Sequence, residues 1–159
     1  SRGQYILTLD ELEAGSLDTA EPVIEVEGDL ILQLKKDTIS HLESQGPVIK
    51  KGTGTLTIRG EGSLELESAD AEAISSDWNG EELDADHPSA VRLEAGNLTF
   101  TGAGSGIVDE TVELAGAQGT ITATSTSGAA VKTAHVKREG SNSDKLELIG
   151  ATAVAVPES

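Results

Sequence analysis

The sequence predicts a right-handed parallel β-helix, a solenoid wound in about five imperfect coils. Three observations carry that expectation. A Gly, a small or polar residue and then Leu or Ile recur along the chain. They appear as Gly15-Ser16-Leu17, Gly28-Asp29-Leu30, Gly54-Thr55-Leu56, Gly62-Ser63-Leu64, Gly96-Asn97-Leu98 and Gly119-Thr120-Ile121. The copies keep a long period: Gly28 to Gly54 is 26 residues and Gly96 to Gly119 is 23. The apolar supply is almost wholly aliphatic, since Tyr5, Trp78 and Phe100 are the only aromatics and Met is absent. A thin interior lined by a few aliphatic side chains per coil suits that supply. A period in the low-to-mid twenties is that of a three-sided coil. The alternative, an antiparallel β-sandwich, would place turn signals between adjacent strands with no such period.

The elements follow in order. Tyr5-Ile6-Leu7-Thr8-Leu9 reads as the first strand. Asp10 to Ala20 has a weak helical look, but Gly15-Ser16-Leu17 belongs to the repeat and no helix is needed. Leu30-Ile31-Leu32-Gln33-Leu34, Leu56-Thr57-Ile58, Leu64-Glu65-Leu66 and Leu98-Thr99-Phe100 follow the motif, most of them alternating with a period of two. That is the mark of a strand with one buried face. Pro22-Val23-Ile24 returns as Pro47-Val48-Ile49, 25 residues on. Leu64 to Ile74, Leu98 to Val108 and Ile121 to Val131 are each 10 apart, a register within coils. Val91-Arg92-Leu93, Val112-Glu113-Leu114 and Leu146-Glu147-Leu148 make a further aligned set. Ala153-Val154-Ala155-Val156 reads as the last strand, ended by Pro157. The whole of 1–159 reads as one domain, interrupted by loop insertions near 75–89 and 135–144.

Composition limits the partners. The formal net charge is −17, from 28 acidic and 11 basic residues. A nucleic-acid backbone needs a cationic footprint, so no nucleic-acid partner is expected. No apolar stretch approaches the length of a membrane span, so no membrane insertion is expected. With no cysteine, disulfides and thiolate zinc sites are excluded. An acidic surface serves solubility first, and halophilic adaptation or calcium after that.

The first insertion is the most unusual segment. Calcium takes six to eight oxygen ligands. Asp77, Asn79, Glu82, Asp84 and Asp86 are the weak calcium-ligand candidates there, with a plain solvated acidic loop as the simpler reading. Its spacing does not match an EF-hand. Calcium is the one cofactor this suggests. Trp78, with Asn79 and Glu81 beside it, is the weak candidate for ligand binding. An indole can stack on a sugar ring and donate its N–H, although a lone Trp in a loop commonly packs over the coil. No catalytic residue is assigned. Lys35-Lys36, Lys50-Lys51 and Arg59 could serve a polysaccharide lyase only by being basic, and fit a solvated outer face. His41, His87 and His135 are too far apart in sequence to predict a zinc site. Gly102-Ala103-Gly104-Ser105-Gly106 lacks the Lys of a P-loop and suits a turn. Thr57, Thr99 and Thr122 would stack if the coils align, as an ice-binding ladder would, but Ile31 and Glu65 interrupt them.

The repeats resemble those of bacterial secreted β-helix domains described as carbohydrate-binding domains of surface proteins. The matching stretches are 22–30, 54–64 and 90–98, within a likeness covering most of residues 5–131. The resemblance implies a right-handed parallel β-helix, an extracellular or cell-surface bacterial location, polysaccharide as ligand, and calcium. The chain departs from cellulose binders in lacking an aromatic platform, and from lyases in lacking clustered Asp pairs. The expected function is a non-catalytic adhesive or carbohydrate-binding module, not an enzyme. The alternatives are a structural stalk or self-assembling filament subunit, with neighbouring subunits meeting at the solenoid ends, and a polysaccharide lyase or hydrolase.

Overall fold

The computed structural model describes residues 4–78, 88–94, 97–114, 120–138, 145–149 and 152–155. All regular structure in them is β. In chain order the strands are β1 (Gln4–Leu9), β2 (Glu13–Ser16), β3 (Ile24–Val26), β4 (Asp29–Leu34), β5 (Ile39–Ser44), β6 (Ile49–Lys51), β7 (Gly54–Gly60) and β8 (Ser63–Ser68). There follow β9 (Glu72–Ser75), β10 (Ser89–Leu93), β11 (Asn97–Gly102), β12 (Ser105–Leu114), β13 (Thr120–Ser125), β14 (Ala129–Arg138), β15 (Lys145–Ile149) and β16 (Thr152–Ala155).

Every pairing between them is parallel, and each strand pairs with one a full coil away. The chain is therefore a parallel β-solenoid. A six-stranded sheet runs β2-β5-β8-β11-β13-β15, which is five steps and hence about five turns. The ten-stranded sheet holds the two other faces. One face is β1-β4-β7-β10 and continues in the second halves of β12 and β14. The other is β3-β6-β9 and continues in their first halves and β16. Parallel ladders throughout exclude the sandwich.

The interior is built of columns of like residues. Leu30, Leu56, Val91 and Val112 stack on one face, with Leu32, Ile58, Leu93 and Leu114 beside them. Ile49, Ile74, Ile107 and Val131 form the column of the third face. All are buried in one continuous core. Full burial of such a side chain contributes about 1.5–3 kcal/mol. On the six-stranded sheet the column is Leu42, Leu66, Phe100 and Ala123. The buried Phe100 thus sits beside the smallest member of its column, and the pair shares the available volume.

Gly28 and Gly54 stand at the bends where the motif placed them, at the start of β4 and β7, whereas Gly15 lies inside β2. Gly28 and Gly54 have φ of 93° and 107°, a region that disfavours side chains. A Cβ on Gly54 would also run into the carbonyl of Gly28, the same turn one coil earlier.

Asp10 to Ala20 contains the strand β2 and no helix, as expected. Two details depart from the sequence expectations. Val112 aligns with Val136, so residues 135–138 continue the ladder as part of β14; Leu146 aligns instead with Ile121. Residues 135–138 of the expected excursion are thus strand, and 139–144 lie outside the described residues. In the fourth coil Ile107, not Val108, aligns with Ile74, so the spacing from Leu98 is 9 there.

A serine ladder closes the corner after the six-stranded sheet. Ser44 Oγ donates toward the carbonyls of Thr19 (3.0 Å) and Glu21 (2.9 Å) and accepts the Gly46 N–H. Ser68 Oγ reaches Gly46 O at 2.7 Å and accepts the Ala71 N–H. Ser125 Oγ reaches Gly104 O at 2.8 Å and accepts the Gly128 N–H. Each hydroxyl joins its own turn to the turn of the preceding coil. Gly102 takes this position in β11, where a Cβ would collide with the carbonyls of Ser105 and Ala71.

Candidate functional site

Alternation along the six-stranded sheet turns every second residue outward. Two polar ladders result. Glu13, His41, Glu65, Thr99 and Thr122 follow one another in register, and Gly15, Glu43, Glu67, Thr101 and Thr124 run parallel to them. Successive members are one strand spacing apart, about 4.8 Å. The face is anionic toward β2 and carries hydroxyls toward β13. The threonines do align, but Thr57 lies on a different face, between Ile31 and Arg92.

His41 is the centre of the anionic half. Its Nδ1 lies 3.3 Å from Glu65 Oε1 and its Nε2 lies 3.2 Å from Glu43 Oε2. A ring that donates from both nitrogens is an imidazolium. Partial burial pulls the His41 pKa down, but the hydrogen bonds and charges of Glu43 and Glu65 outweigh it and raise it above the ordinary value. Ligand atoms of His41, Glu43 and Glu67 all fall within 4.8 Å of one another. One imidazole nitrogen and two carboxylates make a donor set suited to a divalent cation, once the ring proton has left.

The residues singled out in the sequence fall elsewhere. Asp77 is exposed, just after β9. Trp78 is 3% exposed, so its ring faces are covered rather than offered to a sugar. Its backbone N–H donates to Ser76 Oγ, and its indole nitrogen has no partner among the described residues. Asn79, Glu81, Glu82, Asp84, Asp86 and His87 lie outside the described residues. His135 is exposed on the face that β14 shares with β12, away from His41. Lys35 and Lys36 are exposed and pair with Asp10 and Glu61. Arg59 donates to Gln33, its neighbour one coil back.

Lys51 corrects the reading of a solvated outer face. Lys50 points out, but Lys51 points in, and its side chain is 0% exposed. Nζ donates to Asp109 Oδ2 at 2.7 Å, to Ser89 Oγ at 2.6 Å and to the Gly52 carbonyl at 3.2 Å. Asp109, also 0% exposed, receives two more donors on Oδ1: Ser89 Oγ at 2.5 Å and the Glu110 N–H at 2.7 Å. The cluster lies at the corner where β6 ends and β10 begins. Ser76, just past β9, ties to the same region through Val108 O. Nothing in the local sequence distinguishes Lys51 from Lys50. The signal was positional: Lys51 is two residues after the core residue Ile49, and so shares its inward phase.

Comparison with protein-family models, with curated proteins and with solved structures finds no match.

Proposed function

We propose that the chain is a non-catalytic binding module of a bacterial surface or secreted protein, with polysaccharide as its ligand. The observation that supports this is the flat, polar outer face of the six-stranded sheet. Carboxylates accept hydrogen bonds from sugar hydroxyls, and threonine hydroxyls both donate and accept. Ladders repeating at each strand would meet an extended, repeating chain at several points at once. A cation at His41, Glu43 and Glu67 would offset the surface charge and let sugar oxygens or carboxylates complete its coordination. The buried Trp78 has no part in this contact. A panel of oligosaccharides, with and without calcium or zinc, tests it by shift in melting temperature. The expected result is a shift that Glu43→Gln together with Glu67→Gln removes. No shift with any glycan or cation would overturn the reading.

A second reading, end-on assembly, is favoured by the outer edge of the first coil. Tyr5 and Ile6 are 60% and 62% exposed, and Leu7 and Leu12 are also exposed. Among the described residues β1 pairs only with β4. Tyr5, Ile6 and Leu7, with Ile24, Val26, Leu30 and the two glutamates Glu25 and Glu27, line an open concavity of about 470 Å³. An open apolar strand edge is a template for another chain. Concentration-dependent light scattering that Ile6→Lys abolishes would support assembly; a monomer at all concentrations would exclude it.

A further inference from the structure

We infer that Lys51 and Asp109 are the site of an intramolecular amide cross-link between Lys51 Nζ and Asp109 Cγ. The inference rests on the arrangement around the pair and is independent of the binding proposal. Three features of amide formation are present together. The amine nitrogen is held 2.7 Å from Asp109 Oδ2, an oxygen one bond from the carbon it would attack. The other oxygen, Oδ1, is held by two donors, Ser89 Oγ and the Glu110 N–H. That is the arrangement that stabilises negative charge developing on an acyl oxygen under attack. Both side chains are fully buried, so the geometry is fixed and bulk water has no access to the bond once it is made.

The chemistry balances without a co-reactant. One proton passes from the Nζ ammonium to Oδ2 through their hydrogen bond, leaving a neutral amine and a neutral acid. The nitrogen lone pair attacks Cγ, and the electron pair of the C=O bond moves onto Oδ1, where Ser89 and Glu110 receive it. Collapse restores the carbonyl at Oδ1 and breaks Cγ–Oδ2. Oδ2 takes a second proton from Nζ and departs as water. The product is a neutral secondary amide whose remaining N–H can donate to Ser89 Oγ or the Gly52 carbonyl. Replacing a buried ion pair with a neutral amide also removes the desolvation cost of two charges.

The position gives the bond a purpose. Lys51 closes β6 and Asp109 lies in β12, 58 residues on, with β9 between them in the ladder of that face. The long insertion after β9 interrupts the winding at this corner. A bond from the coil before it to the coil after it would staple the solenoid across the interruption.

Intact-mass measurement of the full chain, folded and then held for a prolonged period before denaturation, tests this. The expected mass is one water below that of the sequence, and tandem mass spectrometry of a digest should give a branched peptide joining Lys51 to Asp109. Lys51→Arg and Asp109→Ala should each retain the full mass. Ser89→Ala should slow the loss of water. A parent chain that keeps its full mass overturns the proposal, as does a water loss mapped to other residues. The parent measurement alone decides if the variants fail to fold.

Discussion

Phe100 and Ala123 offer a quantitative test of how the interior is shared between coils. They are register partners on β11 and β13, and both are fully buried. Phe100→Ala removes the one phenyl ring of the core. Losses for such truncations run at about 3–5 kcal/mol, because transfer energy and cavity costs add. Ala123→Phe alone should overfill the same space and cost about 1–3 kcal/mol. If the two sites were independent, the double variant would lie about 4–8 kcal/mol below the parent. Residues in contact do not add. The ring restored one strand away should refill much of the cavity, and we expect a favourable coupling of about 1–3 kcal/mol. Urea unfolding followed by the fluorescence of the sole, buried Trp78 measures all four corners of the cycle. Additive losses would refute the view that neighbouring coils share one volume.

Other perturbations test the turns and the outer face. Gly54→Ala should destabilise by at least about 1–2 kcal/mol from its positive φ alone, with the Gly28 carbonyl clash in addition, read as a lower urea midpoint. Ser44→Ala leaves the Thr19 and Glu21 carbonyls and the Gly46 N–H without their shared partner, and should cost about 1–3 kcal/mol by the same assay. His41 has its pKa raised on folding, so its contribution is fully present below the ordinary imidazole value and fades as pH rises through the raised one. The melting-temperature difference between His41→Gln and the parent should therefore shrink from about pH 5 to about pH 8. A difference that does not change with pH would show that the ring makes no charged pairs with Glu43 and Glu65.

Much of the architecture was legible because a solenoid writes its period directly into the sequence. Leu30, Leu56 and the Gly before each recur since every coil poses the same steric problem. The alignment failed where one aliphatic residue can replace another at a neighbouring spacing. Leu146 was matched to Val112, yet Val136 fits that column and Leu146 fits the column of Ile121. The serine ladder went unread because Ser44, Ser68 and Ser125 are spaced unevenly, with Gly102 in the gap. The site was harder. The acidic loop attracted attention by composition, while His41, Glu43 and Glu67 became neighbours only through pairing between β5 and β8. Lys51 looked like any surface lysine because burial of a charge depends on partners 38 and 58 residues away.

The ten-residue strands β12 and β14 have a practical consequence. Each turns the corner between two faces as one continuous strand, whereas the earlier coils stop and restart there, between β3 and β4 and between β6 and β7. Foreign peptide grafted into the corners at 27–28 or 52–53 would extend a turn, as the natural insertion after β9 already does. The same graft at Glu110 would fall inside the strand β12, between the halves that pair with β9 and with β10. That one corner is therefore open to engineering in the early coils and closed where β12 and β14 run through it.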